Sequence, residues 1–183
     1  MPALVLGILM LTGCSLVNPG NDGKRSGEMN MQQGAERADE ILDATFAAIV
    51  PSVEWTHRES THGGCGRSSL GSVTRRRAVM TVISEGRRGS FLGVVERHWK
   101  KQGFSITGTA AGGEYPAIFA STPDKFRMSL EFGAKGQAFF DVVTPCLDQS
   151  EVHPPRTPAN GSNYAGSEVP YPDKHSDFWS ATG

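Results

Sequence analysis

The residues of this 183-residue chain whose types could most readily do chemistry stand close together: His57, Glu59, His62 and Cys65. Imidazole, carboxylate and thiolate are the groups that zinc takes, but a zinc helix sets two His at i and i+4 with Glu directly after the first. Here the two His stand five apart and lead into Gly63-Gly64-Cys65-Gly66, a stretch that reads as loop. Polar loop histidines and no metal are expected. Ser90 lies in Gly89-Ser90-Phe91-Leu92-Gly93, which lacks the Gly two residues before Ser that a nucleophile elbow needs. The glycines from Gly108 to Gly113 lack the Gly-Lys-Ser/Thr signature and the following helix of a phosphate loop. Glu114 and Asp141 are single carboxylates with strand-edge solvation as their expected role. No catalytic residue, cofactor or metal is assigned, and the expectation is a protein that is not an enzyme.

Charge is more suggestive. The chain is near neutral at -1, yet residues 75–101 hold eight Lys or Arg against two Glu. If Arg75, Arg77, Arg87, Arg88, Lys100 and Lys101 converge, they form a surface that attracts anionic lipid headgroups or anionic wall polymer. Otherwise they are an ordinary solvated strand and helix surface.

The N-terminus supplies a different chemistry. Residues 3–11 are an uninterrupted apolar run that includes one Gly, far short of the roughly 20 residues that cross a bilayer and within the length of a signal-peptide centre. Leu11-Thr12-Gly13-Cys14 at its end is similar to the lipobox of bacterial lipoproteins, and that resemblance implies cleavage before Cys14 and thioether diacylglyceryl attachment to its sulfur. Met1-Pro2 carries no Lys or Arg where a signal peptide opens with a basic segment, which leaves room for a start upstream. The expected location is the outer face of the cell membrane, held by lipid on Cys14, with no nucleic acid as partner. With Cys14 acylated, two cysteines remain in an oxidising compartment, so Cys65 and Cys146 are expected to form a disulfide.

Those groups must be positioned by one modest domain with loose ends. Residues 1–13 read as signal peptide and 14–34 as a lipidated flexible tether, because Gly, Asn and Pro with few large apolar side chains cannot offset their ordering entropy. Residues 148–183 carry Pro154, Pro155, Pro158, Pro170 and Pro172 among Ser, Asn, Gly and acids, and read as a disordered tail in which Tyr164, Tyr171, Phe178 and Trp179 are expected to be solvent-exposed, the alternative being docking anchors.

Between these ends, residues 35–147 alternate two periodicities. Ala38, Ile41, Leu42, Thr45, Phe46 and Ile49 form one helical stripe, with Glu36, Arg37, Asp39, Glu40 and Asp43 on the wet side and Pro51 as the stop. A short strand at 53–57 and a longer one at 73–83 follow, the latter covered on both faces. A second helix over 88–102 carries Phe91, Leu92, Val95 and Trp99 on one face and ends at Gly103. Strands are expected at 104–109 and 115–121. The clearest is Phe126, Met128, Leu130 and Phe132 alternating with Lys125, Arg127, Ser129 and Glu131. A hairpin at 133–136 leads to a last strand with Ala138, Phe140 and Val142 inward. The expected fold class is α+β, two helices packed on an antiparallel sheet of about five to six strands.

The order of the lipobox at Cys14, the first helix followed by Pro51 and Trp55, the Gly-flanked Cys65, the Trp99 helix ending in Gly103-Phe104, and Phe132 before Thr144-Pro145-Cys146-Leu147 resembles the small LppA-type lipoproteins of Gram-positive actinobacteria. The resemblance spans residues 35–147 and implies a surface-anchored α+β lipoprotein with one disulfide and no established activity. The function expected is therefore a non-enzymatic envelope interaction module whose partner is an anionic envelope polymer or another envelope protein. The alternative is a small extracytoplasmic hydrolase or hydrophobic-ligand carrier, with a cleft between the second helix and the sheet lined by Trp99, Phe126 or Phe140.

Overall fold

The computed structural model describes residues 29–66, 69–164 and 166–182. The signal peptide at 1–13, Cys14 and the tether as far as residue 28 lie outside them.

The first helix, α1 (Met31–Ala47), begins ahead of the expected domain start at residue 35. Asn30 accepts from the Gln33 backbone N–H at 2.9 Å, and the Gln33 side chain accepts from the Asn30 N–H at 3.0 Å. This reciprocal cap satisfies two donors that a helix start otherwise leaves open, so the domain claims the last residues of the expected tether. Its stripe of Ala35, Ala38, Ile41, Leu42 and Phe46 is buried.

Next come β1 (Trp55–His57), β2 (Thr61–Gly64), β3 (Leu70–Val79), α2 (Glu85–Lys101), β4 (Ser105–Ala110), β5 (Ala117–Ser121), β6 (Arg127–Phe132), β7 (Ala138–Val143) and β8 (Leu147–Asp148). All eight strands join one antiparallel sheet in the order β1-β3-β7-β6-β5-β4, with β2 and β8 also paired to β3. The expectation that 63–66 is loop is corrected at Gly63 and Gly64, which lie in β2 opposite Ser72 and Gly71. An antiparallel ladder needs only main-chain groups, and these glycines supply them without an apolar side chain that periodicity could register. The β6–β7 hairpin turns through Lys135 and Gly136, both at positive φ. A side chain at Gly136 would meet the main chain of Ile83, which fixes the turn against the segment that links β3 to α2.

Both helices cover one sheet face. Phe91, Leu92, Val95 and Trp99 of α2 pack on Ile118, Met128, Leu130 and Phe140, and the Trp99 indole donates to Thr45 Oγ1 of α1 at 3.0 Å. Gly103, at φ +79, ends α2 as expected.

Residues beyond Leu147 depart from the expected disorder. Lys174 bridges Thr81, backbone bonds join residues 80–84 to Asp173, Lys174 and Trp179, and Trp179 is fully buried in the main core. The segment cannot build a core of its own, but it adds one large ring to an existing one. Tyr171 and Phe178 stay exposed.

Candidate functional site

Strand alternation and helical period together set a charged ladder inside this domain. Asp39 and Asp43 stand one turn apart on α1, and Arg75 and Arg77 stand two apart on β3, on the face that α1 covers. Arg75 Nε lies 3.2 Å from Asp39 Oδ2, and Arg77 Nη2 donates to Asp43 Oδ1. Arg75 is 2% exposed and Arg77 0%. The Arg77 guanidinium also lies 3.9 Å over the Trp55 ring and 5.3 Å from the Phe46 ring centre, where an aromatic quadrupole attracts a desolvated cation.

Several buried atoms in the ladder have no hydrogen-bond partner among the described residues: Asp39 Oδ1, and Arg77 Nε and Nη1. Burial pushes the Asp39 carboxyl up to about 6, against the pull of Arg75 and Arg77 and with the nearby charge of Asp43. Burial likewise lowers Arg75 and Arg77, while the carboxylates hold them charged. His57, at the end of β1, is lowered first by burial and also by the charges of Arg77 and Arg75, while its bond to a main-chain carbonyl works the other way.

That carbonyl belongs to a strap. Residues 152–160 run over the ladder, and His57 Nε2 donates to the Thr157 carbonyl at 2.8 Å while Arg75 Nη2 donates to the His153 carbonyl at 2.6 Å. Thr157 Oγ1 donates to Asp43 Oδ2 at 2.7 Å, and the His153 N–H donates to Gln32 Oε1 at 2.8 Å. Asn160 accepts from the Trp55 N–H at 2.8 Å and donates to the Val53 carbonyl at 3.0 Å. A cavity of about 480 Å³ remains beside the strap, lined by His57, Glu59, His62, Arg75 and the strap prolines. The arrangement reads main-chain carbonyls with charged and aromatic donors.

The expected basic surface is corrected, because its six members do not converge. Arg75 and Arg77 point inward to acids, as their alternation with the outward Arg76, bound to Asp141 at 3.0 Å, requires. Arg87 and Arg88 are half-buried at the start of α2, Arg87 over the Phe178 ring at 4.5 Å and Arg88 bonded to the Glu114 carbonyl at 2.6 Å. Lys100 and Lys101 are exposed at the other end of α2, with Lys100 paired to Glu96 at 2.6 Å.

Cys65 and Cys146 form the expected disulfide, with Cα atoms 5.9 Å apart. This takes Cys65 from the His57, Glu59 and His62 set. Trp99, Phe126 and Phe140, expected to line a cleft in the alternative reading, are core side chains no more than 1% exposed. The helical pattern predicts Asp39 and Asp43 on the wet side of α1, but Asp39 is buried. The available signal was the match between acids spaced i, i+4 and arginines spaced i, i+2.

No protein-family model matches the chain, and no curated protein matches it in sequence. Among solved structures the chain is similar to a DUF4853 family protein from Actinomyces odontolyticus, with 12% identity over 74% of this chain and 75% of that chain and a TM-score of 0.44.

Proposed function

We propose that the chain is a lipid-anchored extracytoplasmic lipoprotein acting as a non-enzymatic interaction module of the cell envelope, in keeping with its resemblance to LppA-type lipoproteins. The observation that carries this reading is the Cys65–Cys146 disulfide, since such bonds persist in oxidising compartments and are rare where thiols are kept reduced. The Leu11-Thr12-Gly13-Cys14 sequence supports the anchor. The packed interface between α2 and the sheet supports a role for the surface rather than for an internal chamber. Its partner is an anionic envelope polymer or another envelope protein.

The test is fractionation of cells expressing the full chain or its Cys14→Ser variant, followed by detergent partitioning. The parent chain should enter the detergent phase and the variant the aqueous phase, because an acyl anchor contributes about 0.8 kcal/mol per buried CH₂. Equal retention of both in membranes would overturn the anchor.

A further inference from the structure

We infer that the groove between α1, β1 and β3 is a recognition site for an extended, proline-rich polypeptide, held closed in cis by residues 152–160. The inference rests on the reading of the chain as an interaction module and names the class of partner.

The strap shows what the groove accepts. Its main-chain carbonyls at His153 and Thr157 are read by Arg75 and His57, its N–H at His153 by Gln32, and its Thr157 hydroxyl by Asp43. Arg156 adds an ion pair with Glu36 at 3.1 Å. Pro154, Pro155 and Pro158 favour an extended backbone before docking, which lowers the ordering cost of seating such a segment.

Three observations set the strap apart from ordinary packing. Every residue from 151 to 160 is exposed or half-exposed, and only Val152 and Ala159 among them pack on the core clusters, so polar contacts supply most of its hold. Both its flanks are fixed independently: Cys146 by the disulfide and Leu147 in β8 on one side, Lys174 against Thr81 and buried Trp179 on the other. The strap can therefore leave with both flanks still seated, giving up only the edge contacts of Val152 and Ala159. Beneath it stand buried charges with unpartnered atoms, Asp39 Oδ1 and Arg77 Nη1, a costly arrangement for a surface whose only task is to support a loop.

A competing polypeptide must overcome the high effective concentration of a segment tethered at both ends, so the unaltered chain binds weakly in trans and a loosened chain binds well. The probe is a labelled synthetic peptide of residues 150–163, titrated into the full chain and into the full chain with Thr157→Ala and Asn160→Ala, which remove strap contacts to Asp43 and β1. Anisotropy should show saturable binding to the loosened chain at concentrations that leave the unaltered chain unbound. Adding Gln32→Ala and Glu36→Gln should weaken that binding by about tenfold. No binding by a folded loosened chain, or binding indifferent to Gln32 and Glu36, overturns the inference. Amide exchange on the unaltered chain gives an independent check: residues 152–160 should exchange at least about tenfold faster than 173–180, and equal protection overturns it. Neither result bears on detergent partitioning, so failure of the groove and failure of the anchor are separable.

Discussion

Trp179 donates its indole N–H to the Pro51 carbonyl at 2.6 Å, across 128 positions of sequence. Its ring meets Phe91 of α2 edge-on with centroids 5.1 Å apart, and none of it is exposed. The end of the chain thus closes the core between α2 and the turn that follows α1. The N–H groups of Val82 and Ser84 donate to the carbonyls of Lys174 and Trp179 and so hold the backbone that delivers this ring.

Trp179→Ala should cost about 3–5 kcal/mol of unfolding free energy, the range for emptying a large aromatic site, and Trp179→Phe should cost less because part of the volume stays filled. Urea denaturation of the parent and both variants measures this. A loss below about 1 kcal/mol for Trp179→Ala would show that the ring is not a core element in solution.

That residue also marks where sequence patterns stop being informative. In β6, Met128, Leu130 and Phe132 are buried and Arg127 and Glu131 exposed, an alternation visible because each strand residue reports one face. A lone Trp among prolines, serines and acids sets up no period, and its burial depends on a cavity made by residues far away in the chain. Asp39 was illegible for the same reason. Helical period puts it at the margin of the apolar stripe, and only the inward register of Arg75 on β3 supplies the partner that lets a carboxylate be buried. The disulfide, by contrast, followed from compartment and count, which need no geometry.

Removing that disulfide should be costly. It closes a loop across 81 positions and joins the end of β2 to the link between β7 and β8. In the chain-entropy model such a loop contributes roughly 4–5 kcal/mol, and measured values commonly fall below this. Cys65→Ser and Cys146→Ser should each lower the melting temperature of the oxidised protein by a similar amount, with the double variant little worse than either. Differential scanning calorimetry with and without reductant makes the comparison. A parent chain that melts identically in both conditions would contradict it.

The Asp39 carboxyl predicts the sign of one part of the pH dependence. Its pKa is raised to about 6 from an ordinary 3.8, chiefly by burial. Between those values the folded state keeps a proton that the unfolded chain has released, so this group makes stability fall as pH rises. Its contribution is fully present below about 3.8 and lost above about 6, a difference on the order of 2–3 kcal/mol. Other carboxylates add their own slopes, which cancel when the protein is compared with Asp39→Asn. The pull of Arg75 on the Asp39 carboxylate is already contained in that raised pKa, so it adds no separate slope to the comparison. Urea denaturation at pH 4, 5, 6 and 7 should therefore show the parent losing ground to Asp39→Asn with each step upward until the loss levels off above pH 6. A difference between the two proteins that stays flat over this range would mean that Asp39 ionises in the fold as it does in the open chain.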